Sequence, residues 1–111
     1  MLFKEIIGNS SVKKQLIEAV RNNRISHAQL FHGKSGSAKL ALALAYAQFL
    51  NCENRTTVDS CGTCSSCLKF NNLSHPDLHL VIPVLKTKEV QKPVSDHFIG
   101  KWRDFITNNY Y

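Results

Sequence analysis

The residues of this 111-residue chain best suited to chemistry are four cysteines gathered between positions 52 and 67: Cys52, Cys61, Cys64 and Cys67. From Cys61 onward they form two C-x2-C steps that share Cys64. A C-x2-C turn lets two sulfurs point the same way, and Gly62 permits the tight backbone that such a knuckle needs. In a reducing compartment thiols crowded this closely argue for metal rather than disulfides, and left unbound they would be prone to oxidation. Tetrahedral Zn²⁺ in a structural role is the economical reading. An iron–sulfur cluster is the rival, but the ferredoxin run places its fourth cysteine just downstream and follows it with proline, where this chain has Lys69-Phe70-Asn71.

A second stretch, Gly33-Lys34-Ser35-Gly36-Ser37-Ala38-Lys39-Leu40, has the grammar of a phosphate-binding loop between a strand and a helix. Set against G-x-x-x-x-G-K-[ST], it keeps Lys39 to reach a phosphate. Ala38 stands where the second glycine belongs, and Leu40 replaces the hydroxyl residue that would hold Mg²⁺. Leucine cannot ligate a metal, so ATP binding is expected to be weak or absent, and hydrolysis is not expected. The bland alternative is a glycine turn before a buried helix.

Periodicity and turn chemistry suggest the elements that position these residues. Residues 3 to 8 are a short apolar lead-in, and Asn9, Ser10 and Ser11 offer N-cap oxygens to a helix running to about Asn22 with Val12, Leu16, Ala19 and Val20 on one face. A polar connection then leads to a strand at 29 to 33. The helix after the loop, 38 to 50, is apolar around most of its circumference and is therefore expected to be buried. Residues 54 to 60 read as an irregular loop, and a short helical segment with Leu68 and Phe70 follows Cys67. Residues 78 to 84 read as a second strand that Pro83 ends, and 85 to 93 as a charged connection. A last helix, at about 95 to 107, is capped by Ser95, stapled by Val94 and Ile99, and carries Phe98, Trp102, Phe105 and Ile106 on one face. His27, with no nucleophile or carboxylate beside it, reads as a loop histidine with a structural hydrogen bond, and His75 and His79 read as structural because four cysteines already complete a metal shell.

Length and composition leave room for one domain with an ordinary core. The formal net charge of +6 and pI of about 9.3 favour polyanions, but the cations are spread from Lys4 to Arg103 rather than gathered in one run. No segment approaches a membrane span, and the N-terminus lacks the apolar region of a signal peptide, so a cytoplasmic protein without membrane association is expected.

Taken together, Ile7-Gly8, Arg24-Ile25-Ser26-His27-Ala28, the glycine loop, the four cysteines and His75-Pro76-Asp77-Leu78 resemble the N-terminal part of bacterial clamp-loader AAA+ proteins, over nearly residues 3 to 84. The delta prime subunits of DNA polymerase III share the H-A-x-L-F lead into the loop, the cysteine module and the H-P-D-L step. The gamma/tau ATPase subunits share the cysteine module but normally keep an intact G-K-T, so Ala38, Leu40 and His75-Pro76-Asp77 favour delta prime. The resemblance implies an α/β fold, a partial P-loop NTPase (AAA+) domain over residues 1–111, with parallel-type strands, flanking helices and an inserted zinc module at about 52–67. It also implies a nucleotide loop at Gly33 to Leu40, an adenine-side region at Ile7 and Gly8, and zinc ligands at Cys52, Cys61, Cys64 and Cys67.

The implied role is a non-hydrolysing scaffold for DNA replication. Its partners would be gamma/tau-type and delta-type subunits and, through the assembly, the sliding clamp and primer-template DNA. No Walker B carboxylate, sensor or Ser-Arg-Cys motif is matched, and residues 85 to 111 match nothing in the family, so the chain is expected to be a fragment. Its two strands, not being neighbours in that fold, would then invite self-association or a non-family pairing. Two other classes remain: a fragment of a gamma/tau-type ATPase, marked by ATP binding with Mg²⁺, and a zinc-containing nucleic-acid-binding module, marked by salt-dependent DNA binding.

Overall fold

Alanine and leucine, two of the strongest helix formers, fill most of Lys39–Asn51, and this stretch is the helix on which the other elements pack. In the computed structural model, which describes residues 1–83 and 99–108, a 3₁₀ turn at Phe3–Glu5 is followed by α1 (Ser10–Arg21), α2 (Lys39–Asn51), α3 (Ser65–Asn71) and α4 (Ile99–Asn108). As its composition requires, α2 buries residues all round: Ala41, Leu42, Leu44, Ala45, Tyr46, Gln48 and Phe49.

Two apolar clusters divide the surface of α2. The first joins Phe3 and Ile6 of the lead-in and Val20 of α1 to Leu42, Tyr46 and Phe49, with the Phe3 and Phe49 rings edge to face at 5.7 Å. The second joins Leu44 to Leu73, just after α3, and to Ile106 of α4, with Leu78 and Trp102 against it. The face expected on the last helix is therefore used at Ile106, which is fully buried, and at Trp102, which stacks on the more exposed Phe105 at 5.6 Å. Val94, Ser95, Phe98 and the 85 to 93 connection lie outside the described residues.

Helix ends show where local chemistry was decisive. Asn9 is the N-cap of α1, but at φ 58° its side chain does not cap the helix and instead donates to Ser37 O at 3.1 Å. The expected cap is thus replaced by a tie to the glycine loop. α1 closes on Asn23 in the left-handed region, with Arg24 N donating to Ala19 O at 2.8 Å, and α3 closes the same way on Leu73, with Ser74 N donating to Lys69 O at 2.8 Å.

The expected α/β class is overturned. Among the described residues there is no strand, and the architecture is helical rather than a partial P-loop sheet with flanking helices. A strand exists only if its N–H and C=O groups find a lateral partner, and apolar composition does not supply one. Phe31, in the segment 29 to 33, packs with the first cluster, whereas Leu78, at the start of 78 to 84, packs with the second. The two segments are drawn to different clusters, and Leu30 and Val81 are left 84% and 90% exposed. Val84, the last residue of the expected second strand, lies outside the described residues.

Candidate metal centre and the glycine loop

Each cysteine is delivered by a distinct local device. α2 ends at Asn51 and its C-cap, in extended conformation, is Cys52. The following loop, expected to be irregular, is closely tied. Thr56 Oγ1 accepts from Val58 N at 3.3 Å and Asp59 N at 3.0 Å, while Thr56 N donates to Asp59 O at 2.8 Å. The Asp59 carboxylate in turn accepts from Phe3 N at 3.0 Å, Lys4 N at 3.1 Å and Ser60 N at 2.8 Å, pinning this loop to the N-terminal 3₁₀ turn. Cys61 follows, then Gly62 at φ +78°, a conformation that L side chains rarely adopt. Cys64 is the N-cap of α3, its sulfur accepting from Cys67 N, and Cys67 sits in the first turn.

The four sulfurs converge. Cys52 Sγ lies 3.6 Å from Cys61 Sγ, 3.9 Å from Cys64 Sγ and 3.7 Å from Cys67 Sγ, and Cys61 Sγ lies 3.9 Å from Cys67 Sγ. With metal–thiolate bonds of about 2.3 Å, a regular tetrahedron of sulfurs has edges of about 3.8 Å. Four of the six sulfur pairs are close to that edge and all lie within 4.8 Å, so the set can converge on one ion.

Backbone donors treat the sulfurs unequally. Cys61 N donates to Cys52 Sγ at 3.4 Å, Cys64 N to Cys61 Sγ at 3.3 Å and Cys67 N to Cys64 Sγ at 3.4 Å. The backbone N–H groups of Thr63 and Cys64 bring the Cys61 thiol down to about 6, and those of Cys67 and Glu53 lower Cys64. Burial pushes Cys67 up to about 12 and also raises Cys52. Backbone donors thus favour the thiolate form at Cys61 and Cys64, and burial disfavours it at Cys52 and Cys67.

The surroundings fit such an ion. Among the described residues four buried polar atoms lack a hydrogen-bond partner, and three of them, Gln48 Nε2, Ser60 Oγ and Ser66 Oγ, belong to residues near the cysteines in sequence or space. Buried donors left without acceptors are costly, whereas four thiolates on a divalent ion carry net negative charge that accepts from them. The histidines stay apart. His75 stacks on Phe70 at 4.7 Å and its Nδ1 accepts from Asp77 N at 3.1 Å, which fits its expected turn role, while His27 and His79 are exposed.

The glycine loop is arranged differently. Lys39 Nζ donates to Gly33 O at 3.1 Å and Lys34 O at 3.4 Å, so its ammonium is folded onto its own loop. A Cβ on Gly33 would stand 2.6 Å from Ser37 Oγ, so any larger residue there requires the Ser37 hydroxyl to turn away. Ala38 precedes α2 in the left-handed region at φ 60°, buried to 4% exposure, and supplies no side-chain cap. Lys34, Ser35, Gly36 and Leu40 are exposed. A cleft of about 520 Å³ runs beside the loop, with Asn9, Leu16, Phe31, Gly33, Ser37 and Lys39 in its walls. Ile7 and Gly8 are exposed and do not line it; Asn9, not singled out for this place from sequence, does. Asp59 and Gln48 were likewise missed, although Thr56 three residues before Asp59 is a legible turn signal.

Comparison with known proteins adds to this geometry. The family model described as DNA polymerase III, delta subunit, matches residues 8–104. The DNA polymerase III subunit delta' of Bacillus subtilis is 40% identical over 72 residues, which are 65% of this chain and 22% of that protein. The gamma/tau subunit of Mycoplasma genitalium is 30% identical over 76 residues, 68% of this chain and 13% of that one. Protein STICHEL of Arabidopsis thaliana is 37% identical over 70 residues, 63% of this chain and 6% of that one. The chain thus spans less than a quarter of the length of each of these relatives. No solved structure matches it.

Proposed function

The chain belongs to the DNA polymerase III delta subunit family of clamp-loader proteins, and from that premise we propose that it is the N-terminal part of a delta prime-like subunit, a non-hydrolysing scaffold in the loading of the sliding clamp on DNA. The observation that carries the reading is the state of the glycine loop. Leu40 offers no oxygen to Mg²⁺, and Lys39 is spent on Gly33 O and Lys34 O, bonds that an incoming phosphate would have to displace. Without a metal-holding hydroxyl the loop lacks one of the parts that position and neutralise a transferring phosphoryl group. Incubated with ATP and Mg²⁺, the chain should show no turnover above a protein-free blank; turnover that disappears on Lys39→Ala would overturn the reading. The likeness to gamma/tau subunits supports an ATPase piece as the second reading, and tight Mg²⁺-dependent ATP binding would favour it.

The cysteine centre, in the same reading, holds one Zn²⁺ through Cys52, Cys61, Cys64 and Cys67. A closed four-thiolate shell leaves no position for substrate, so its role is structural. An iron–sulfur cluster would insert several irons and sulfides among the cysteines and hold their sulfurs farther apart than the 4.8 Å within which all four lie here. Metal analysis should return one zinc per chain; iron with visible absorbance would exclude this assignment. The partners that follow are gamma/tau-type and delta-type subunits, with the clamp and primer-template DNA met through the assembly in the cytoplasm. Among the described residues no helix is long and apolar enough to cross a membrane.

A further inference from the structure

Gln48 lies in the last turn of α2, one turn before Cys52, and is completely buried in a helix whose other residues between Leu40 and Leu50 are apolar or tyrosine. A carboxamide in such a place must find partners for one oxygen and one NH₂ group. The oxygen has one: the Met1 ammonium donates to Gln48 Oε1 at 2.8 Å. An ammonium has only donors, so this contact fixes which way round the amide sits. The NH₂ group must then point away from Met1, and among the described residues Nε2 has no hydrogen-bond partner of ordinary geometry. Cys67, also completely buried, belongs to α3, which packs directly on α2. Its sulfur lies 3.7 Å from that of Cys52, which follows Gln48 by one helical turn.

We propose that Gln48 is a positioning residue of the metal centre, its Nε2 donating to the Cys67 sulfur when that sulfur is a metal-bound thiolate. The inference rests on the metal reading of the four cysteines. It accounts for a buried polar side chain that contributes nothing to the apolar clusters around it. Cys67 is the most deeply buried of the four cysteines, and α2 offers its sulfur an oriented dipole rather than a charge. The N-terminal 3₁₀ turn joins the same chain of contacts, since Asp59 anchors Phe3 and Lys4 while Met1 orients Gln48.

Gln48→Glu separates this role from packing, because it is isosteric and keeps an oxygen for Met1 while replacing the donor with a second acceptor. Competition with a chromophoric chelator should show zinc bound about 10–100-fold more weakly by Gln48→Glu than by the parent chain. In the cobalt-substituted proteins the sulfur-to-metal charge-transfer band should move to longer wavelength in the variant. A purely packing change, Leu73→Ala, should lower stability and leave the band in place. Equal zinc affinity with an unmoved band would overturn the inference while leaving the metal reading intact; a parent chain that takes up no metal would overturn both. Should Gln48→Glu fail to fold, the parent chain loaded with ¹¹³Cd decides. A Gln48 side-chain proton coupled to cadmium supports the bond, and side-chain amide resonances identical with and without cadmium exclude it.

Discussion

The two loops that flank α2 differ in how they are satisfied. At its N-terminus, residues 33–38 are largely exposed and close on themselves, Ser37 N on Lys34 O and Lys39 on the carbonyls of Gly33 and Lys34. At its C-terminus, residues 52–67 are knitted by N–H to sulfur bonds, by the Thr56 turn and by Asp59, which reaches back to Phe3 and Lys4. The first loop is a degenerate motif whose lysine has turned inward. The second brings four sulfurs within 4.8 Å of one another, a donor set suited to one cation. The comparison teaches where each loop finds its order: the first in bonds to its own carbonyls, the second in four converging sulfurs and the Asp59 carboxylate.

Metal removal tests this contrast most strongly. Structural zinc supplies on the order of 10 kcal/mol to the folding of small thiolate sites. A chelator, or Cys67→Ser, should therefore unravel α3 and release Leu73 from its cluster with Leu44 and Ile106, visible as lost helical circular dichroism and a much lower melting temperature. Lys39→Ala should shift stability by no more than about 0.5 kcal/mol, as expected for a half-exposed side chain whose bonds water can replace. Equal sensitivity of the two loops would break the contrast.

How far this difference could be read in the sequence depended on the range of the interactions involved. The cysteine set was legible because C-x2-C spacing fixes its geometry within a few residues, and α2, α3 and the Trp102–Ile106 face were legible because helical hydrogen bonds are also local. The strands at 29–33 and 78–84 were misread because a strand needs a partner, and Phe31 and Leu78 are claimed by different apolar clusters. The Asn9 cap failed because its backbone is left-handed rather than extended as a capping residue's usually is, and its Nδ2 is tied to Ser37 O, 28 positions away. Gln48 escaped notice because polar residues in an alanine-leucine helix read as its solvent face, and only the position of the metal centre makes a buried amide useful.

Asp59 offers the intermediate effect. Its carboxylate serves three backbone N–H groups, at Phe3, Lys4 and Ser60. Asp59→Ala leaves all three without that acceptor, and since Lys4 is exposed, water restores part of the loss. The expected cost is about 1–3 kcal/mol in the metal-loaded chain, measured as a lower urea midpoint at unchanged slope. Asp59→Asn, which keeps one oxygen, should recover part of it. If the cysteine loop held its shape from metal bonds alone, both variants would match the parent, and the role assigned to the N-terminal turn would be lost.

The smallest effect sharpens the comparison at the degenerate loop. Ala38 occupies the left-handed region at φ 60°, which costs an alanine roughly 1–2 kcal/mol relative to glycine. Ala38→Gly removes that strain and restores the glycine of the phosphate-loop pattern. It also deletes a methyl group that packs with the first apolar cluster, a loss of about 0.8 kcal/mol. The two terms nearly cancel, so the variant should be between unchanged and about 1 kcal/mol more stable by thermal melting. A loss of more than about 1 kcal/mol would show that the Ala38 Cβ is packed too well for its backbone to be strained. ATP affinity should not rise, because Leu40 still offers no oxygen to Mg²⁺, and glycine supplies none. Tight Mg²⁺-dependent binding by Ala38→Gly alone would mean that the missing glycine, rather than the missing hydroxyl, had silenced the loop.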